Sequence, residues 1–254
     1  MISLMLKNQE IRWLVKEKYG GVMNEAAQID IARITQGEPV AYVIGFVDFL
    51  GCKIDLSKRL LIPRLETEFW VEQVIRDINK DTSARIKCLD MFAGSGCIGI
   101  AVLKNVPSTT VDFVDCDAKA ITQVAINCKL NDIDVSRRQI IKSNMFEHVN
   151  DLSYDYIFAN PPYIAEERIN GIQKSVLNYE PRAALLGGSD GLFYIKKFLD
   201  QSKVHLNHGG KIYMEFDSPQ QDEIEKILTN NSYDEFKFFQ DQFKNRRYLV
   251  LRKP

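Results

Sequence analysis

The chain has 254 residues, 45% of them hydrophobic and 26% charged, which are the proportions of a globular protein able to bury a sizeable core. Disordered, collagen-like and disulfide-scaffold classes are excluded, and the length suits one domain of about 150–200 residues with a smaller piece attached. Lys and Arg number 33 against 34 Asp and Glu, a formal charge of −1, so the positive excess typical of proteins that grip bare nucleic acid is missing.

Residues 4–19 place Leu4, Leu6, Ile11, Leu14 and Val15 at near-helical spacing, and residues 24–35 do the same with Ala27, Ile31 and Ile34. A short helical start ending near Gly37 is expected. Residues 39–62 are rich in β-branched and aromatic side chains and punctuated by Gly45 and Gly51, which predicts a strand pair or hairpin. After Pro63 comes a helical face of Phe69, Trp70, Val74, Ile75 and Ile78. From residue 85 onward strands and helices alternate: strands at 85–92, 109–115, in QIIKSN, at 155–160 and 211–216, with helices at 97–105, 118–131, about 190–206 and in PQQDEIEKILTNN. Residues from Glu235 to the end predict two strands joined by a polar turn. The pattern is that of an α/β protein with a mostly parallel sheet covered on both faces.

Five cysteines (Cys52, Cys88, Cys97, Cys116, Cys128) are scattered without a C-x-x-C pair, so neither a zinc ribbon nor a disulfide framework is indicated and no metal is expected. They read as small buried hydrophobes in a reducing compartment. No apolar run approaches the roughly 20 residues that span a bilayer, and charges interrupt the N-terminal apolar residues, so the expected location is the cytoplasm.

Gly94-x-Gly96-x-x-Gly99 sits where a strand passes into a helix, and Asp115 ends the next strand some 20 residues on. Glycine lets a ligand approach the backbone, free N–H groups at a helix start favour electron-rich atoms, and a carboxylate at the following strand end can hold both hydroxyls of a ribose. An adenosine-containing cofactor is expected; a nicotinamide or flavin enzyme shares this turn. Asn144, at the end of a third strand, could meet an adenine edge with Met145 packed on the ring, or simply be a turn residue.

Asn160-Pro161-Pro162-Tyr163 follows the strand DYIFA. Two prolines cannot continue a central strand, so the chain leaves the sheet at its carboxyl edge, where ligands bind in open α/β folds. The Asn160 side-chain oxygen and the Pro161 carbonyl are stiffly held acceptors beside the Tyr163 ring. Such a pair suits a planar –NH₂ group: it holds the two hydrogens, aims the nitrogen lone pair, and stabilises positive charge developing on nitrogen. The implied electrophile is the methyl group of S-adenosylmethionine (SAM).

The segments GEPVAYVIGFVDFLG, LLIPRLETE, LDMFAGSGCIGIA, VDCDAKAI, ANPPYI and YEPRAALLGGSDGL together resemble the HemK/PrmC family of protein-(glutamine-N5) methyltransferases. The resemblance covers the chain from Gly37 onward. It implies a seven-stranded, Rossmann-like SAM-dependent sheet with its last two strands antiparallel. It divides the chain into residues 1–62, a short helical substrate-docking region with a linking β-hairpin, and residues 63–254, the catalytic domain. Phe92, Ala93, Gly94, Ser95 and Gly96 would line the methionine and ribose of SAM, Asp115 would bind the ribose, and Asn144 with Met145 would flank the adenine. Asn160, Pro161, Pro162 and Tyr163 would be catalytic, holding the glutamine of a peptide chain release factor, with Asn160 also contacting the cofactor; the substrate is a protein met by a monomer with no nucleic acid bound. Phe92 stands where the family usually has glycine, Asn144 where it more often has aspartate, and the stretch before Gly37 is shorter than the usual docking domain.

Two other readings share these residues: methylation of an exocyclic amino group of DNA or RNA or of a ribosomal-protein glutamine, and a SAM-binding scaffold without catalysis. Elsewhere, His205 and His208 are expected at a helix C-terminus, Arg64, Glu66, Thr67 and Glu68 as a capped helix start or a cover over the cofactor, and Glu180 in an ion pair that supports the loop after Tyr163. Lys244, Arg246, Arg247, Arg252 and Lys253 are expected on a solvated strand pair, with RNA or an acidic partner as the alternative.

Overall fold

The computed structural model describes residues 2–149, 153–233 and 235–253, with side chains from residue 8 onward. Helices α1 (Ile2–Tyr19) and α2 (Glu25–Thr35) open the chain. Asn24 caps α2, its side-chain oxygen accepting from Ala27 N at 2.8 Å and so satisfying one orphan amide of the first turn. Leu14 and Ile34 meet Val40, Val43 and Ile44 in a small core of their own; the side chains of Leu4 and Leu6 lie outside the described residues. Charge completes this unit. Asp30 accepts from Lys18, Tyr19 and Arg33, and Glu38 from Arg33 and Arg59. Burial opposes the Asp30 charge, but these donors hold its carboxyl below the usual range, and the Arg33 guanidinium does the same for Glu38.

Residues 39–62 contain the expected hairpin, but their first part departs from strand. Residues 40–44 form a short helix, α3 (Val40–Ile44), started by Pro39 and stopped by Gly45 at φ 99°. All five of its side chains are buried, so packing between α1, α2 and the hairpin overrides the β preference of Val and Ile. Only β1 (Phe46–Phe49) and β2 (Cys52–Asp55) pair, antiparallel, around the Leu50-Gly51 turn. Their inward residues Val47, Phe49, Cys52 and Ile54 belong to the large core shared with the following helix α4 (Leu65–Ile78) and the main sheet.

The alternating half then builds β3 (Ile86–Met91), α5 (Cys97–Asn105), β4 (Thr109–Asp115), α6 (Ala118–Leu130), β5 (Arg138–Lys142) and β6 (Tyr154–Ala159). A short helix α7 (Lys174–Tyr179) lies in the loop that follows. After it come α8 (Phe193–His205), β7 (Leu206–Glu215), α9 (Gln221–Asn230), β8 (Glu235–Gln240) and β9 (Arg246–Arg252). The seven strands order as β5-β4-β3-β6-β7-β9-β8, parallel except for β9, which runs against both neighbours. The order reverses between β3 and β6. The carboxyl ends of these two strands therefore open a crevice, the place where α/β sheets bind ligands.

Side-chain amides of α6 clip the hairpin to this sheet. Gln123, Asn127 and Asn131 are four residues apart, on one helix face, and all are buried. Gln123 accepts from Lys58 N, Asn127 accepts from Asp55 N, and Asn131 accepts from Lys53 N while donating to Lys53 O. Four cysteines are buried as expected; Cys116 is exposed beside the crevice. His205 ends α8 but stacks on Phe146 at 4.4 Å, while His208 lies within β7, so the two do not share a helix terminus. Arg246, Arg252 and Lys253 direct donors to backbone carbonyls and Arg247 pairs with Asp241. No described helix is long and apolar enough to cross a membrane.

Candidate active site

Between β3 and α5 the backbone doubles back: Gly94 and Gly96 have φ of 53° and 77°, and Phe92, not a glycine, also takes a left-handed φ of 61°. That conformation costs a bulky residue of the order of 1 kcal/mol. Its ring is held at 6.1 Å from both Tyr194 and Phe198, which offsets the strain by packing. Asp115 ties the turn from the side, its Oδ2 accepting from Gly94 N and its Oδ1 from Asp117 N, both at 2.9 Å. Burial pushes the Asp115 carboxyl up, and these backbone donors pull it back down. Asp90, beneath the turn, is wholly buried; Oδ2 accepts from Gly99 N, Oδ1 meets no described partner, and burial pushes its pKa up to about 8.

One cavity is lined by Phe92, Ala93, Gly94, Ser95, Asp115, Asn144, Met145, Asn160 and Pro162, with apolar walls from Leu60, Leu61, Ile98 and Tyr194. Gly96 does not line it. It starts α5, and a Cβ there would stand 3.1 Å from Val124 Cγ2, so its part is the turn and the packing beneath. Met145 is buried, whereas Asn144 is exposed and its Nδ2 donates to Glu147 Oε1.

A second cavity adjoins the first. Asn160, Pro161 and Tyr163 line it with Leu61, Arg64 and Ile164 among others. Asn160 borders both, so it stands on the partition between them. Its Nδ2 donates to Thr67 Oγ1 at 3.3 Å; its Oδ1 and the Pro161 carbonyl accept no hydrogen bond among the described residues. Behind the partition, Glu215 at the end of β7 is buried and accepts from Thr67 Oγ1 at 2.6 Å, Trp70 Nε1 at 2.7 Å and the Tyr163 hydroxyl at 2.9 Å. Burial raises the Glu215 carboxyl, and the three donors oppose that rise. Tyr163 is thus anchored through its hydroxyl while it lines the second cavity.

The segment after Tyr163 is pinned from outside. Ile164 N donates to Leu185 O, Gly187 N to Ile164 O, and Gln220 Nε2 to Tyr163 O. A Cβ on Gly187 would lie 2.5 Å from the Pro162 carbonyl, and one on Gly191 would lie 2.2 Å from that of Tyr163. Both positions therefore require glycine. Glu180 accepts from Arg64 at 2.7 Å and from Ile62 N at 3.1 Å, the expected ion pair, and it joins this loop to the approach to α4.

The methyltransferase small domain family model matches residues 49–178. The release factor glutamine methyltransferase of Lactococcus lactis is 33% identical, over 87% of this chain and 79% of its own. The chain belongs to the release factor glutamine methyltransferase family. Its counterpart from Thermodesulfovibrio yellowstonii is 32% identical over 88% of this chain and 79% of that one. A crystal structure of a methyltransferase from Pyrococcus furiosus is similar with a TM-score of 0.55, covering 87% of this chain and 96% of the other, at 16% identity, a likeness of fold alone. Like its relatives, this member of the release factor glutamine methyltransferase family is a SAM-dependent enzyme on the seven-stranded Rossmann-like sheet. The first cavity fits that cofactor in its donor set: a carboxylate for a diol, apolar walls for a purine, and a glycine turn open to a ligand.

Thr67, expected in a capped helix start or a cover over the cofactor, lines the first cavity, whereas nothing local in the sequence marks Glu215, Trp70, Gln220 or Tyr194 as site residues. Periodicity flags Trp70 and Glu215 as ordinary core and strand-end positions. The convergence of Thr67 and Trp70 on Glu215 joins residues 145 or more apart in sequence, which no local pattern signals.

Proposed function

We propose that the protein transfers a methyl group from SAM to the side-chain amide nitrogen of the glutamine in the Gly-Gly-Gln loop of a peptide chain release factor. The observation that carries this reading is the position of Asn160 on the partition, with its Oδ1 and the Pro161 carbonyl unengaged and adjacent to the second cavity. Family membership supports the substrate class, since the relatives are named for it.

Phe92, Ala93, Gly94 and Ser95 would hold the methionine and ribose portions of SAM, Asp115 the ribose hydroxyls, and Asn144 with Met145 the adenine. When bound, SAM supplies an electrophilic methyl group on a positively charged sulfur. The chain's own residues then prepare the nucleophile. A carboxamide nitrogen is planar and unreactive because its lone pair is delocalised into the carbonyl. Asn160 Oδ1 and the Pro161 carbonyl accept its two hydrogens, orient the lone pair toward the partition, and stabilise the positive charge that grows on nitrogen. The cationic nitrogen is acidic and loses its proton to water, so no strong base is required. Pro161 and Pro162 keep the carbonyl where it is because their φ angles cannot relax. The Tyr163 ring gives the amide plane a flat wall.

The helical start would present the release factor to the second cavity, with residues 1–62 as docking region and hairpin and 63–254 as the catalytic part. The reading makes the enzyme a cytoplasmic monomer with no nucleic acid bound. Incubating the protein with methyl-labelled SAM and purified release factor is expected to label the release factor, and Asn160→Ala to reduce labelling at least about 100-fold. Label in nucleic acid instead of protein would move the reading to an exocyclic amino group; undiminished labelling by Asn160→Ala would end it.

A further inference from the structure

Asn160 serves as an acceptor only if its carboxamide is the right way round. Turned by half a revolution it would offer its own NH₂ to the incoming amide and repel it. The two orientations have nearly the same shape, so the backbone of the kink does not choose between them. The choice falls to the group on the far side, Thr67 Oγ1, 3.3 Å from Asn160 Nδ2.

A threonine hydroxyl in isolation would not choose either, because it both donates and accepts. Here its single proton is committed. Thr67 Oγ1 lies 2.6 Å from Glu215 Oε2, and the same oxygen takes the Trp70 indole N–H at 2.7 Å. Indole is a donor without an acceptor, so Glu215 must accept at that oxygen. The Tyr163 hydroxyl, at 2.9 Å, occupies Oε1. With three donors converging on it, the carboxylate acts as an acceptor throughout. Thr67 gives its proton to Glu215 and is left with only lone pairs to offer Asn160. Asn160 must then present Nδ2 to Thr67, and Oδ1 is left for the substrate side. One buried carboxylate also restrains both ends of the kink, Asn160 through Thr67 and Tyr163 directly.

We infer that Thr67 and Glu215 are positioning residues: together they give this hydrogen-bond chain its direction and hold the Asn160 oxygen toward the glutamine amide. The inference rests on the reading of Asn160 as one of the two acceptors.

Thr67→Val keeps the shape and the γ-methyl but removes the hydroxyl; Thr67→Ser keeps the hydroxyl and removes the methyl. For methyl transfer to release factor, Thr67→Val is expected to lower kcat about 10- to 100-fold. The KM for release factor and the calorimetric affinity for SAM should stay close to wild type, while the lost hydrogen bond to buried Glu215 lowers the melting temperature by about a few degrees in Thr67→Val and not in Thr67→Ser. Thr67→Ser should recover most of kcat, which a packing role for the γ-methyl would not produce. If Thr67→Val does not fold, Thr67→Ala carries the same comparison. Wild-type kcat without the hydroxyl overturns the positioning role, as does a Thr67→Ser variant no faster than Thr67→Val, or a loss of SAM affinity that matches the loss of rate. A wild-type protein that transfers no label to release factor overturns the functional reading, and this inference with it.

Discussion

Asp115 braces the glycine turn, and on the proposed reading it would also receive the cofactor's ribose. Its two oxygens offer about four lone-pair sites, and the Gly94 and Asp117 amides use two of them. Asp115 also lines the cavity, where on the proposed reading a ribose diol would add two more donors. Replacing one oxygen by NH₂ removes an acceptor and sets a donor against a hydroxyl. Asp115→Asn is therefore expected to weaken SAM binding by about 10- to 100-fold in calorimetry, the range of a hydrogen bond to a charged group. Unchanged affinity would remove Asp115 from the cofactor site. Phe92 makes a related point. A left-handed backbone there resembles what glycine would supply, and the ring that glycine lacks finds a place between Tyr194 and Phe198.

Helix α6 governs more than its own hydrophobic face. Asn127, the middle rung of its amide row, accepts from Asp55 N and donates to both Asp55 O and Ser95 O. A single side chain thus links the hairpin to the glycine turn. An exposed Asn on a helix is a weak helix former, but a buried one with every polar atom paired fixes how two elements meet. Asn127→Leu leaves the Asp55 amide and the Ser95 carbonyl without partners, and should cost about 3 kcal/mol in urea denaturation. A loss below about 1 kcal/mol would show that the hairpin is held by its apolar face alone. Spacing of four could have suggested this row, yet the strand it serves lies 72 residues earlier for Asn127 and 78 for Asn131, so the partner was not legible.

At the scale of the molecule, two sets of carboxylates pull stability in opposite directions with pH. Asp30 and Glu38, held below their usual range by the cations around them, contribute stability that is lost as pH falls through their folded values. Asp90 works the other way. Its folded pKa of about 8 exceeds the ordinary 3.8, so between these values the folded protein holds a proton that the unfolded chain has released. Stability should therefore fall as pH rises from about 4 to about 8, by up to about 1.4 kcal/mol per pH unit for this one proton. Asp112, Asp115 and Glu215, raised by burial, add to the same trend. Chemical denaturation across this pH range should give a shallower slope for Asp90→Asn than for the wild type; identical slopes would mean Asp90 is ionised in the folded state at neutral pH. The two sets also lie in different cores. Asp30 and Glu38 belong to the helical start, whereas Asp90 sits in β3 near the centre of the main sheet.

What the sequence by itself determined is whatever short-range chemistry encodes. Strand and helix alternation from residue 85, the Gly94–Gly96 turn, Asp115 at the end of β4 and the proline kink after β6 all follow from periodicity and fixed φ, because each is decided within a few neighbouring residues. Residues 40–44 escaped that logic, since burial on every side converted a β-rich stretch into a helix. The two cavities, the partition between them and the buried Glu215 were decided only by the tertiary structure. Strand order brings β3, β6 and β7 side by side, and the direction of a hydrogen bond depends on which donors arrive at an acceptor from distant parts of the chain.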